Sequence, residues 1–174
     1  MAKKGKKGGS FNLLFTLCAC TLALVAFILL LATPSLTWTY KGAITGTSQG
    51  SLSGIVGIFG QADPKYNMPW AGLVAFILMT AGLVLMLLLS CLALLKKKIA
   101  IAGLLKFIAA GLLIAAGVCV FFEVVAWEAA NGSGKIAIGD LANASYSIAA
   151  GWIVSSILSI VAGAGVIAGE FLAK

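Results

Sequence analysis

Hydrophobic and polar positions divide this chain into four long apolar runs separated by polar segments. The runs cover residues 11–32, 70–95, 99–125 and 145–172. A helix needs about 20 apolar residues to cross the hydrocarbon core of a bilayer, so each run is long enough to span a membrane. The pattern therefore predicts an all-α membrane protein, in which residues 11–174 form a single bundle of four transmembrane helices.

The lysines predict how this bundle is oriented. Lys96, Lys97 and Lys98 separate the second run from the third, and four more lysines lie in the tail of residues 1–10. Lysine collects on the cytoplasmic side of multi-pass proteins, so we expect a cytoplasmic turn at 96–98 and cytoplasmic N- and C-termini. We place the protein in the plasma membrane. Its basic tail is suited to contact with anionic membrane lipids.

With this orientation, the segments 33–69 and 126–144 are predicted to be outer loops. Residues 36–40, Leu-Thr-Trp-Thr-Tyr, alternate apolar and polar side chains with β-branched and aromatic residues, which favours a strand. Residues 135–138 favour a second, shorter strand. All four tryptophans and all three tyrosines lie in these loops or near the outer helix ends, where the membrane interface attracts such side chains.

An apolar patch interrupts the polar first loop. It consists of Ile55, Val56, Ile58 and Phe59. Apolar side chains in a loop that faces water must be covered by something. We predict that they contact a partner protein; a small internal core and coverage by lipid headgroups are the alternatives.

The last helix carries small residues at every fourth position, namely Gly151, Ser155, Ser159 and Gly163. Small residues let helix backbones approach closely inside a membrane. This face indicates packing within the bundle or contact with other membrane proteins or copies of the same chain, and we include it among the candidate partner contacts.

Few charged or modifiable groups accompany the spans. Lys106 and Glu170 lie at similar depth near the cytoplasmic side and are predicted to form an ion pair; separate extension of each side chain toward the interface and a contact with an ion or a partner are the alternatives. Glu123 and Glu128 are interpreted as solvated anchors at the outer interface, with the lining of a cation route as the alternative. Asn131 and Asn143 each begin an N-glycosylation sequon, on the outer side.

Composition excludes several classes of function. The chain is 61% hydrophobic and 10% charged, and it contains neither histidine nor arginine. Histidine-based metal sites, a histidine general base and arginine phosphate clamps are therefore impossible. No basic stripe interleaved with aromatic residues indicates nucleic-acid binding. We predict no cofactor, no metal site and no enzymatic activity, and the four cysteines are interpreted as packing residues.

Several features together resemble the claudin and peripheral-myelin-protein-like superfamily of four-span proteins. They are the loop lengths, Trp38 soon after the first helix, Ala-Gly-Leu-Leu at 110–113, Gly151-Trp152 at the start of the fourth helix, and 54–59 in place of the group's Gly-Leu-Trp. The resemblance implies a bundle that carries a small antiparallel sheet built from the outer loops. The cysteine pair of the group's first loop is absent, so the chain resembles a distant member.

These observations predict a non-enzymatic membrane protein that acts through lateral or extracellular protein–protein contacts. It would be a claudin-like cell-adhesion protein, a scaffold or an auxiliary subunit. One alternative is a subunit of a homo-oligomeric large-pore channel, because uncharged spans permit a wide, weakly selective pore. Another is an accessory subunit of a large membrane protein complex.

Overall fold

The computed structural model describes residues 7–42, 46–95, 101–132, 135–136, 139–140 and 144–172. The lysine turn at 96–98, Asn143 and the ends of the chain lie outside the described residues. Along the chain the elements are α1 (Lys7–Ala32), β1 (Pro34–Gly42), β2 (Gly46–Ser53), α2 (Gly54–Phe59), α3 (Trp70–Leu94), α4 (Ala102–Val120), α5 (Glu123–Asn131), β3 (Lys135–Ile136), β4 (Gly139–Asp140), β5 (Ala144–Ile148) and α6 (Ala150–Leu172).

Four helices within the described residues are long and apolar enough to cross a membrane, as the hydrophobic pattern predicted. They are the segment Leu13–Ala32 of α1 and the whole of α3, α4 and α6. The chief contacts join α1 with α6, α6 with α4, α4 with α3, and α3 with α1. The four helices therefore form a ring in which each helix packs against two neighbours.

Small side chains fill much of the space between these helices. Ala19, Ala23 and Ala26 lie one turn apart on α1 and are buried, and Ala109, Ala110 and Ala116 are buried on α4. Since lipid tails are as apolar as the core, close packing and interhelical hydrogen bonds must hold the helices together. Alanine permits that close approach.

A three-stranded antiparallel sheet covers the end of the bundle where α1 and α4 end and α3 and α6 begin, which we call the sheet end. The strand order is β2-β1-β5, so both of the long loops between the spans contribute to the sheet, as the family resemblance implied. Trp38 of β1 pairs with Gly50 on one side and Tyr146 on the other. A Cβ atom at residue 50 would overlap the Trp38 indole, so glycine is required at this position.

Several elements differ from the sequence-based expectation. The third span was expected to continue to 125, but α4 ends at Val120 and α5 begins at Glu123, after a break of two residues. The N–H groups of Phe121 and Phe122 bond to carbonyls three residues back, a tight turn that ends one helix before the next. The fourth helix was expected to begin at 145, but Ala144–Ile148 pairs with β1 as strand β5. Residues 54–59 form a short helix instead of an irregular loop.

Candidate functional site

The apolar patch of the first loop is the short helix α2. The Ser53 side chain caps it by accepting a hydrogen bond from the N–H of Val56 at 3.3 Å. Ile55 and Phe59 lie one turn apart on its outward face and are 57% and 48% exposed, and Val56 is half-buried. The Phe59 ring rests edge-on against Phe76 of α3, with 5.3 Å between ring centroids. We call Ile55, Val56 and Phe59 the α2 surface.

Ile58 does not belong to this surface. Its side chain is fully buried and packs in the same core as Leu30 and Trp152. Gly54, Gly57 and Ile58 form the buried side of α2. Residue 58 is one turn from residue 55 but lies at the edge of the helix nearer this buried side. The structure therefore places Ile58, one of the predicted partner contacts, in the core of the chain, where it holds α2 against the bundle.

The small-residue face of α6 packs against other helices of the same chain. The hydroxyl of Ser155 donates to the Ala26 carbonyl of α1, and that of Ser159 donates to the Leu113 carbonyl of α4, each at 2.7 Å. Gly151 lies against Thr33, and Gly163 lies against the Ala110 carbonyl. Of the two alternatives drawn from the sequence, the structure shows packing within the bundle.

Lys106 and Glu170 lie near the end opposite the sheet. The Nζ atom of Lys106 is 2.6 Å from Oε1 of Glu170, and their side chains are 14% and 18% exposed. This ion pair joins α4 to α6. It leaves little of either charge to face lipid, so it explains how both groups fit near the end of a span.

Of the two sequon asparagines, the structure describes Asn131 but not Asn143. Asn131 holds α5 to the segment before α3: its Oδ1 accepts from the N–H of Asn67 at 2.6 Å, and its Nδ2 donates to the Asn67 carbonyl at 3.0 Å. The nitrogen that would carry a glycan is therefore engaged in the fold. Asn143 lies outside the described residues.

Glu123 is the residue that sequence reasoning misplaced. It was interpreted as a solvated anchor, but its side chain is 0% exposed at the start of α5. A signal was present in the sequence, since Glu123, Ala126 and Trp127 recur at helical spacing and all three face the interior. The two-residue break after α4 hid that signal, because it starts a new helix with its own buried face.

The Glu123 carboxyl lies against the first turn of α3. A Cβ atom on Gly72 would overlap the Gly57 carbonyl oxygen and would lie 3.1 Å from Oε2 of Glu123. Neither carboxyl oxygen has a hydrogen-bond partner among the described residues. Burial raises the pKa of this carboxyl to about 8, and the backbone N–H of Gly72, which is close to the carboxyl but outside good hydrogen-bond geometry, opposes the shift.

Aromatic side chains continue this buried region toward the sheet. Trp127 is fully buried and lies between the rings of Tyr66 and Tyr146, with centroid distances of 5.3 and 6.4 Å. Within the described part of the chain, no three histidine, cysteine, aspartate or glutamate side chains are grouped so that they could hold a metal ion. The site thus offers apolar contact and one buried acid.

Comparison with known proteins does not assign the chain to a family: no family model matches it, and no curated protein matches its sequence.

Proposed function

We propose that this protein is a non-enzymatic integral membrane protein that acts by binding other proteins through the α2 surface. The exposure of Ile55 and Phe59 on a capped helix supports the proposal. A six-residue helix has little stability of its own, so α2 depends on Ile58 and Gly57 beneath it. The two large apolar side chains on its outer face are therefore held in a fixed arrangement.

The position of the α2 surface favours a partner that lies in the same membrane. Residues 46–49 of β2, just before α2, are polar or glycine and exposed, whereas Phe59 rests on Phe76 within the α3 span. The surface thus lies at the boundary between the polar sheet and the apolar spans. A neighbouring membrane protein, or a second copy of this chain, reaches both regions at once.

The lysines support an orientation with both termini in the cytoplasm and the sheet outside. Lys106 near the end opposite the sheet and the clusters at 3–7 and 96–98 belong to the same side of a four-span chain. Lysine is enriched on the cytoplasmic side of membranes. We place the protein in the plasma membrane, where the sheet and the α2 surface face the exterior.

A claudin-like role is the concrete form of this proposal: adhesion, scaffolding or the support of a larger membrane protein. Four spans topped by a sheet from both loops resemble the layout of that superfamily. The missing first-loop cysteine pair makes the chain a distant member at most.

Photo-cross-linking in the native membrane tests the proposal. A photoreactive phenylalanine analogue at Phe59 is expected to form an adduct of defined mass, and Ile55→Ser is expected to reduce its yield. The matched control carries the analogue at Val125, an exposed residue of α5 at the same end of the bundle. Equal adducts at both positions, or lipid adducts alone at Phe59, would refute a specific contact there.

A further inference from the structure

The Glu123 carboxyl lies near the junction of α2 and α3, outside the proposed binding surface. It shares one small region with the Gly57 carbonyl at the end of α2 and the first turn of α3 at Gly72. The last carbonyls of a helix lack partners within that helix, so the Gly57 carbonyl is an acceptor beside an acid. Three separate elements meet at this one buried polar group.

The surroundings supply no charge to balance an ionised Glu123. Residues 54–59 of α2, 70–77 of α3 and 150–157 of α6 contain no titratable side chain. On α5 itself the other acid is the half-buried Glu128. Toward the sheet lie Tyr66 and Tyr146, both packed on Trp127, and the exposed Asp63 and Lys65 precede Tyr66.

We propose that Glu123 is a proton-binding site that fastens α2 to the bundle, so that loss of the proton releases α2. A neutral carboxylic acid has an O–H donor and fits beside the carbonyl of Gly57, whereas a buried carboxylate without a cation is strongly disfavoured. When the proton leaves for solvent, the carboxylate gains hydration only if the junction opens. With six residues, α2 is the shortest of the elements that meet at that junction.

The direction of the pH dependence follows from the two states. In the closed state the proton is held, while in the released state the carboxyl is hydrated and ionises in the ordinary acidic range. Rising pH therefore favours release, and acidification favours closure. Under the proposed function, on which this consequence rests, release would also disorder the α2 surface and weaken partner binding at higher pH.

Hydrogen exchange of the purified protein tests the site without any partner. Exchange in residues 53–60 is compared between the wild type and Glu123→Gln at each pH, which cancels the intrinsic effect of pH on exchange. The ratio of wild-type to variant rate is expected to rise about tenfold per pH unit between about pH 5 and about pH 8, and then to level off. The glutamine cannot ionise and keeps the shape of the neutral acid.

The control is Glu128→Gln, which alters the other acid of α5 and is expected to keep the wild-type pH dependence. A constant ratio across the range, or a pH-dependent release that persists in Glu123→Gln, would overturn the proposal. Because no partner is present, this outcome would leave the proposed function untouched, and failed cross-linking at Phe59 would leave the proton site untouched.

Infrared difference spectroscopy of the wild type keeps the proposal testable if Glu123→Gln fails to fold. The carbonyl band of a protonated carboxylic acid is expected near pH 6.5 and should vanish at about pH 9.5. Persistence of this band in Glu128→Gln is the accompanying control. Its absence at the lower pH would show that Glu123 is already ionised, which contradicts the proposal.

Discussion

Two acidic side chains show how surroundings decide the state of a charge in this bundle. Glu170 of α6 lies 2.6 Å from the ammonium of Lys106 and is paired as an ion. Glu123 of α5 is buried with no hydrogen-bond partner among the described residues, and burial raises its pKa. Glu170 joins two helices as a carboxylate, whereas Glu123 fits its buried site as a neutral acid.

The ion pair predicts coupling between its two residues. Glu170→Gln removes the carboxylate that Lys106 contacts, and Lys106→Met removes the ammonium that Glu170 contacts. Each single change is expected to lower the free energy of unfolding by about 1–2 kcal/mol, between the values for surface and fully buried pairs. The double variant should lose less than the sum of the single changes. Unfolding in mixed detergent micelles measures all four proteins, and strictly additive losses would show that the pair contributes nothing.

At the scale of the element, α6 acts as the central packing helix because three of its serine hydroxyls donate to carbonyls of its neighbours. Ser155 bonds to α1, and Ser156 and Ser159 bond to α4, each at 2.7 Å. Hydrogen bonds of this kind contribute about 0.6 kcal/mol each on average inside a membrane. They also fix the rotation of α6, so that Gly163 faces α4.

Two glycines of α6 provide a matched test of this packing. A Cβ on Gly163 would lie 2.6 Å from the Ala110 carbonyl oxygen, whereas a Cβ on Gly165 would meet nothing within 4 Å. Gly163→Ala is therefore expected to lower the free energy of unfolding by about 1–3 kcal/mol, since the obstructing atom belongs to backbone.

Gly165→Ala is the control for that change. It adds the same methyl group to the same helix in open space and should be neutral, or stabilising by up to about 1 kcal/mol through helix propensity. Mixed-micelle unfolding again provides the measurement. Equal losses at the two positions would mean that α4 and α6 do not approach as closely as the structure shows.

At the scale of the whole molecule, the hydrophobic pattern was sufficient to predict four spanning helices, because length and apolarity alone decide which segments can cross lipid. Strand β1 was predictable from its alternating side chains. The pattern could not locate the break at Phe121 and Phe122, because that sequence is apolar on both sides of it. Strand β5 also escaped prediction, since its residues read as a helix until they pair with β1.

The candidate site was less predictable than the fold. The sequence indicated that residues 55–59 needed cover, but only the helical turn of α2 separates the exposed Ile55 and Phe59 from the buried Ile58. Likewise, Glu123 reads as an interfacial acid until α5 turns its side chain toward Gly72. Both errors arise because burial depends on which elements meet, and local pattern does not encode that.

The proposed orientation of the whole molecule predicts which positions a membrane-impermeant thiol reagent reaches. The four native cysteines lie within the helices α1, α3 and α4 and are first replaced by alanine. Ile55→Cys is then expected to react in intact cells, because the sheet end is proposed to face outward. Lys174→Cys is the control at the cytoplasmic terminus and should react only after the membrane is permeabilised. The reverse pattern would place the lysines outside and the α2 surface inside, and it would remove the extracellular role from the proposed function.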